Sequence, residues 1–440
     1  MNHSFKLMTF GCKVNQADSA GLRLLMEQHG FAEAANAADA DCLIVNSCAV
    51  TAESVRKARQ TLRSLRRRCP HALLILTGCW PQAFPTDTFE DADIIVGTKE
   101  REQIPVLAAD RLAERGAVPC RAVVPYMPKG GEAFSPMVCA DTHRTRAFLK
   151  IQEGCNQFCS YCIIPYARGR CRSMPLARLA KEAEALEQQG FREIVLTGIN
   201  LGFFGLDTGE SLADAVAVCA GREGIVRVRL GSLEPERMDA DMIRRLAACE
   251  KLCPQFHLSL QSGCDAVLKR MNRRYTAAQY KAVTDAIRQV FPSAAITTDI
   301  IVGFPGETDE DFAETLRFAE AIGFAKIHIF PYSPREGTVA ASFADQISGS
   351  VKAKRAAMLA QVAERCARTH LSAYVGSTVP VLIEGRKQQN AQSFFQGHTP
   401  DGTLVKIFTE NDEKGLQNSV ICVTIESYAD DCCIGRPALK

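Results

Sequence analysis

Short apolar segments alternating with helical ones constrain this chain more than any other feature. Lys6–Phe10, Leu43–Asn46, Leu73–Leu76 and Ile94–Val96 are apolar runs bounded by Gly, Asn or Asp, with helical periodicity in Ala17–Gln28 and Glu53–Arg67 between them. A second series has strand-like Ala147–Ile151, Glu193–Thr197, Val226–Leu230, Phe256–Leu260, Ile296–Val302 and Lys326–Phe330. Helical segments such as Pro175–Gln189, Asp239–Glu250, Ala277–Gln289 and Glu310–Ile322 separate them. Such alternation predicts an α/β fold with parallel sheets. The first series makes an open sheet. The second has six repeats, too few for a closed eight-stranded barrel, and predicts a partial (βα)6 barrel. Both architectures bind ligands at the carboxyl ends of their strands.

Cysteines occupy those ends. Cys12, Cys48 and Cys79 each follow one of the first three strands, so one sheet edge can bring them together from more than thirty positions apart. Cys42 and Cys69 fall at the opposite edge and read as buried thiols. Three core cysteines or a zinc site are the plain alternatives for the first set. Zinc prefers four ligands in a closed structural site, and His71 precedes its strand, so a cluster with one open iron suits the count better. In the barrel, Cys155, Cys159 and Cys162 have the spacing C-x3-C-x2-C directly after a strand. Three thiolates on one loop can hold three irons of a [4Fe–4S] cube, with a zinc loop or coincidental cysteines as the alternative. No fourth Cys stands at the ferredoxin-type offset, and Cys171 reads as a non-ligand.

The chain holds 19 Cys in 440 residues, an odd number. No apolar run approaches the roughly 18 residues of a membrane span, and the start has no apolar secretory region. A cytoplasmic protein with no membrane partner is expected, in which thiols stay reduced and metal ligation explains the cysteines better than disulfides. The net charge is 52 − 50 = +2, so only local charge bears on nucleic acid. Arg56, Lys57, Arg59, Arg63, Arg66, Arg67 and Arg68 face one acid, Glu53. Arg168, Arg170 and Arg172 follow the cysteine loop, and Lys269, Arg270, Arg273 and Arg274 lie within six residues. These runs predict a footprint for a phosphate backbone, with Arg66, Arg67, Arg68, Arg168 and Arg170 as RNA contacts.

Ala353–Leu371 is helical. From Tyr374 the pattern changes to short alternating strands, Thr378–Glu384, Phe394–His398, Leu404–Phe408 and Val420–Ile425, which predict a small all-β barrel. Six Lys and Arg against eight Asp and Glu make residues 371–440 acidic. The expected division is 1–103, a linker 104–140 rich in Pro and Gly, a barrel 141–371 and a terminal domain 372–440. Cys120 and Cys139 in the connector have no assigned role.

The segments Thr9-Phe-Gly-Cys-Lys-Val-Asn-Gln16, Asn46-Ser-Cys-Ala-Val-Thr51, Thr77-Gly-Cys79 and Gly154-Cys-Asn-Gln-Phe-Cys-Ser-Tyr-Cys-Ile-Ile-Pro165 resemble those of the radical S-adenosylmethionine methylthiotransferases. The resemblance covers nearly the whole chain. It implies an amino-terminal cluster domain, a radical core and a terminal TRAM (OB-like) barrel. It implies two [4Fe–4S] clusters, with Cys155, Cys159 and Cys162 holding the radical cluster and Cys12, Cys48 and Cys79 an auxiliary one. S-adenosylmethionine would chelate the open iron of the first and yield a 5′-deoxyadenosyl radical able to attack an aromatic C2–H; the second would carry the sulfur. Gly198, Gln261, Ser262 and Asp299 are expected to contact S-adenosylmethionine because of their positions at strand ends. The motifs look most like the branch acting on N6-threonylcarbamoyladenosine in the tRNA anticodon stem-loop, served by an electron donor and a sulfur source. The isopentenyladenosine branch and the ribosomal-protein aspartate branch carry other residues after the first Cys. Rivals of a different class are a non-enzymatic iron–sulfur redox protein and a zinc-containing RNA-binding protein.

Overall fold

The computed structural model describes residues 3–113, 120–122, 133–134, 145–389, 392–408 and 416–438. The first sheet has six parallel strands in the order Ala32–Glu33, Ser4–Thr9, Cys42–Ser47, Leu73–Gly78, Ile94–Val96, Cys120–Ala122. Its central strands are buried on both faces, which explains their unbroken apolar runs. One face packs Phe5, Ile44 and Ile75 against Leu22 and Met26. The other packs Val45 and Leu74 against Leu62, Leu65 and Trp80.

The expected linker begins instead as a helix, Ile104–Ala113. Ile104 and Ala108 lie one turn apart and join the core around Phe5 and Met26, while Cys120–Ala122 extends the sheet. Pro105 sits at the start of that helix, where its missing N–H costs little. The first unit therefore runs past residue 103. Cys139, Pro119, Pro125, Pro128 and Gly130-Gly131 lie outside the described residues.

In the centre, Arg146–Glu153, Glu193–Gly198 and Arg227–Leu230 pair in parallel, as do Ser232–Leu233, Gln255–Leu258, Ala295–Val302 and Lys326–Pro331. Gly231 divides one strand between the two sheets: Arg227–Leu230 pairs with Glu193–Gly198, and Ser232–Leu233 with Gln255–Leu258. This bend curves the layers into the six-repeat partial barrel. Capping boxes at Ser211/Asp214, Thr276/Gln279 and Thr308/Asp311 start three of its helices.

Helix Gly349–Ser372 leads to a closed five-stranded barrel in the order Thr378–Gln389, Gln392–His398, Leu404–Ile407, Cys432–Pro437, Val420–Ala429. Its strand Cys432–Pro437, which lacks a clear alternating pattern, pairs with both Leu404–Ile407 and Val420–Ala429 and closes the ring. The small barrel sits beneath the amino ends of the central strands. Arg227 donates to the carbonyls of His398 and Pro380, both at 2.9 Å, and Arg229 to that of Pro400 at 2.9 Å. Arg146 pairs with Glu384 at 2.6 Å. No helix among the described residues is long and apolar enough to cross a membrane.

Candidate active site

The first three strands are neighbours in register, so the residues that follow them share one edge. Gly11 and Gly78 make the approach close enough. Both have positive φ (101° and 105°), and a Cβ on Gly11 would lie 2.6 Å from the Cys48 Cβ. The charges of Cys12, Cys48 and Cys79 act on one another. Arg168 Nε donates to Cys79 Sγ at 3.1 Å, and the Val50 N–H to Cys48 Sγ at 3.5 Å. Burial pushes the Cys48 thiol up to about 12, with the neighbouring sulfurs adding to the effect. Burial also raises Cys79, against the opposing charge of Arg168. Burial disfavours the thiolate form here, and a bound iron would supply the positive charge that stabilises three thiolates at one place.

The second set is built on one loop. Gly154 has a φ of +72°, and a Cβ there would lie 2.0 Å from the Arg170 carbonyl. The loop therefore packs directly on Arg168-Gly169-Arg170, and the Cys155 N–H donates to Gly169 O at 3.1 Å. Cys155 Sγ accepts from Gln157 N (3.5 Å) and Asn200 Nδ2 (3.8 Å), and Cys159 Sγ from Arg273 Nη1 (3.3 Å). Burial lifts Cys155 to about 11 and raises Cys162 further, each helped by the charge of Cys159. Cys171 is engaged separately, accepting from Gln152 Nε2 and donating to Phe203 O. Each three-sulfur set thus fits a [4Fe–4S] cluster ligated at three corners.

A buried charge hub joins the two sets. Asp18, on the helix that begins just after Cys12, receives Arg101 at 2.5 Å, Lys150 at 2.6 Å and Arg168 at 2.6 Å. Arg168 also pairs with Glu153 at 2.7 Å, and its guanidinium contacts Asn15 and Cys79. The three cations hold the Asp18 carboxyl well below the usual carboxylate range despite its burial. Arg168 links the Cys79 turn to the Cys155 loop from inside.

Several expected roles change accordingly. Arg168 is fully buried and cannot meet a phosphate. Arg66 is held by Asp93 at 2.6 Å and by the Asp91 carbonyl. Arg59 and Arg63 also face acids of the following loop, Asp87 and Asp91, so much of that basic run is locally neutralised. Arg67 and Arg68 are exposed, but they end helix Ala52–Arg68, about 25 Å from the cysteine edge at 1.5 Å per residue. Arg170 lies 4.4 Å over the Phe158 ring, beside exposed Tyr166. Of Lys269, Arg270, Arg273 and Arg274, Arg273 is turned inward to Cys159 and Glu234, and Arg270 pairs with Asp311.

Among the expected cofactor contacts, Ser262 is fully buried and its hydroxyl is bound to Thr315 and the Cys264 N–H. Gly198 does end its strand, and its missing Cβ admits Gln152, whose side chain holds the Gly154 carbonyl and the Asn200 N–H. Gln261 adopts a φ of +69° and is bridged to Ile300. Asp299 is not at a strand end: it stands mid-strand in Ala295–Val302 and faces His257, with Nε2 to Oδ2 at 3.3 Å.

The structure adds residues that spacing did not single out: Asn15 and Asp18 at helical intervals after Cys12, Glu153 just before the loop, and Asn200, Glu234 and Arg273 around Cys155 and Cys159. Glu153, Asn200 and Glu234 carried a local signal, each beside a Gly or Cys turn at a strand end, whereas Arg273 stood out only as part of a basic run. Burial lifts the Glu234 carboxyl to about 7 in spite of its Arg273 partner.

A family model described as Radical SAM superfamily matches residues 149–319, and one described as Uncharacterized protein family UPF0004 matches residues 4–97. The chain is 37% identical over 381 residues to a threonylcarbamoyladenosine tRNA methylthiotransferase MtaB of Thermotoga maritima, covering 86% of each chain. It is 36% identical to the Bacillus subtilis protein of the same name, covering 89% of this chain and 87% of that one. A tRNA-2-methylthio-N(6)-dimethylallyladenosine synthase of Clostridium botulinum is 33% identical, with 97% and 95% covered. Among solved structures, the radical S-adenosylmethionine methyltransferase TsrM of Kitasatospora setae shares the fold, with a TM-score of 0.54 and 17% identity over 76% of this chain and 75% of that one. With relatives this similar spanning both cysteine-bearing units, the chain belongs to the radical S-adenosylmethionine methylthiotransferases.

Proposed function

We propose that the enzyme places a methylthio group on C2 of N6-threonylcarbamoyladenosine beside the tRNA anticodon, using a radical cluster on Cys155, Cys159 and Cys162 and an auxiliary cluster on Cys12, Cys48 and Cys79. The relatives' names agree on methylthiolation of tRNA and differ in the N6 substituent, the threonylcarbamoyl name belonging to the 37% and 36% identical relatives and the dimethylallyl name to the 33% identical one. The observation that carries the reading is the joining of two three-cysteine sets through one buried hub, Arg168–Asp18, with no fourth Cys in either loop. A ferredoxin-like carrier needs four ligands per shielded cube. When bound, the radical cluster and S-adenosylmethionine supply a carbon-centred radical, which a C2–H with no acidic proton requires.

The chain's own residues orient and protect that chemistry. Backbone and side-chain N–H groups of Val50, Gln157, Asn200, Arg168 and Arg273 point at the sulfurs and stabilise their charge. The test is anaerobic reconstitution followed by incubation with anticodon stem-loops carrying either N6-threonylcarbamoyladenosine or N6-isopentenyladenosine. Mass spectrometry of the digested nucleosides should show sulfur and methyl gained by the first RNA. Gain on the isopentenyl nucleoside alone contradicts the proposal.

A further inference from the structure

The turn after the last central strand, residues 332–340, is tied to both cysteine sets. Ser333 Oγ accepts from the Ala52 N–H at 3.1 Å, four residues beyond Cys48. The Ala340 N–H donates to the Ser160 carbonyl at 2.8 Å, inside the loop of Cys155, Cys159 and Cys162. Arg335 stands on the chain between these two anchors. Its carbonyl accepts from the Thr338 N–H at 3.1 Å and from the Thr338 hydroxyl at 2.7 Å, which fixes its backbone. Pro334 and Glu336 are exposed, whereas Arg335 is turned inward and is only 7% exposed.

That burial is not balanced by an acid. The Arg335 Nε is buried with no hydrogen-bond partner, and its guanidinium forms no ion pair among the described residues. Asp87, whose charge reaches it, is held by Trp80 Nε1 at 2.7 Å and faces Arg59 at 3.5 Å. Buried arginines elsewhere are matched: Arg168 by Asp18, Arg229 by Glu193 and Arg355 by Glu307. What Arg335 touches is the Phe84 ring, with the guanidinium carbon 4.8 Å from the ring centroid. A ring face attracts a cation but leaves its charge in place, and burying an unpaired charge is costly. A cation kept in this way suits an anionic ligand.

The contacts of Phe84 say where that anion lies. Phe84 packs on the small apolar cluster of Ala49, Cys79, Ile163 and Ala167, so Arg335 covers the wall of the edge that carries Cys48 and Cys79. The charge of Cys48 acts on Arg335 in turn. Arg168 contacts Cys79 from the buried hub, and Arg335 comes from a different element, the turn after the last central strand. A phosphate of the RNA backbone suits this place poorly, because so little of Arg335 reaches the surface. A small anion fits better. The group transferred is methylthio, whose ionic form is a thiolate, and thiolates are the form of sulfur that ligates metal. A cube held by three cysteines leaves one iron for such a ligand.

We propose that Arg335 is a positioning residue for sulfur: its guanidinium holds the negative charge of a small thiolate ligand at the edge formed by Cys12, Cys48 and Cys79. This rests on the auxiliary-cluster reading given above. The experiment titrates anaerobically reconstituted holoenzyme with methanethiolate and, separately, with neutral imidazole, following the visible absorption of the clusters. S-adenosylmethionine in excess fills the radical site, and iron per chain is measured on every protein first. Arg335→Gln keeps the length of the side chain and removes its charge. It should weaken methanethiolate binding about ten-fold or more and imidazole binding by less than about two-fold. Arg335→Lys should restore most of the thiolate affinity. An unchanged methanethiolate Kd in Arg335→Gln overturns the proposal. Equal weakening of both probes, or loss of iron from the variant, also overturns it and makes Arg335 a packing residue. Loss of tRNA affinity with thiolate binding intact gives the residue to the RNA and overturns it as well. Only about four iron per wild-type chain overturns the auxiliary cluster and this role with it, so the iron count tells the two failures apart.

Discussion

The two cysteine sets offer the same three sulfurs but are made in opposite ways. Cys155, Cys159 and Cys162 sit on one loop of eight residues, and their mutual position is a local property of turn chemistry around Gly154. Cys12, Cys48 and Cys79 meet only because three strands are paired in register and two glycines let their turns approach. A loop site depends on local backbone, whereas an edge site depends on the whole sheet. The hub at Asp18 then ties the edge site to the loop site, so the relative placement of the two is itself a packing property.

The largest contrast should come from removing one sulfur from each set. Cys159→Ala is expected to stop 5′-deoxyadenosine release from S-adenosylmethionine altogether, by at least about a hundred-fold, since the reductive cleavage depends wholly on the cluster. Cys48→Ala should abolish the methylthio product while cleavage persists. Quantifying 5′-deoxyadenosine and modified nucleoside in the same reaction checks both, and loss of cleavage in both variants would erase the division of labour.

The link between the sets comes next. Asp18→Ala leaves Arg101, Lys150 and Arg168 buried without their shared carboxylate, and should cost about 3–5 kcal/mol in a denaturant titration. The pH dependence has a definite sign. The folded-state carboxyl titrates below its unfolded value, so its contribution is complete above the ordinary carboxylate range and is lost as pH falls through the folded value. Wild-type stability should therefore fall steeply in acid, and the Asp18→Ala protein should fall less. Parallel acid profiles for the two would remove Asp18 from the account.

The smallest effect concerns the exposed arginines far from either set. Arg67→Ala with Arg68→Ala should weaken tRNA binding a few-fold and reduce the salt slope by about one for each phosphate no longer neutralised. Adding Arg66→Ala should change stability more than affinity, because Arg66 anchors to Asp93. An unchanged slope for the double variant makes that helix end ordinary solvated surface.

Much of this architecture could be read in the chain. The apolar runs mark the parallel strands because both faces of a covered sheet are buried, and the C-x3-C-x2-C spacing marks the proposed cluster loop because the geometry is local. The convergence of Cys12, Cys48 and Cys79 was readable only through the rule that parallel strands end at one edge. What stayed hidden depended on partners distant in sequence. Arg168 and Arg273 look like a basic surface until Asp18, Glu153 and Glu234 arrive from other elements to bury them. The Arg59, Arg63 and Arg66 run looks cationic until the acids of residues 87–93 fold back against it. Ile104–Ala113 was masked by the Pro- and Gly-rich stretch that follows. Asp299 already stood mid-strand in the expected Ile296–Val302, so the strand-end rule did not apply to it, and its register places it beside His257 and His328.

Iron and acid-labile sulfide, measured per chain after anaerobic reconstitution, test the central claim most directly. Two cubes predict about eight of each in the wild type and about four of each once Cys12, Cys48 and Cys79 are all replaced by Ala. About four in the wild type, unchanged by the triple replacement, would show that the sheet edge holds no cluster and would contradict the account.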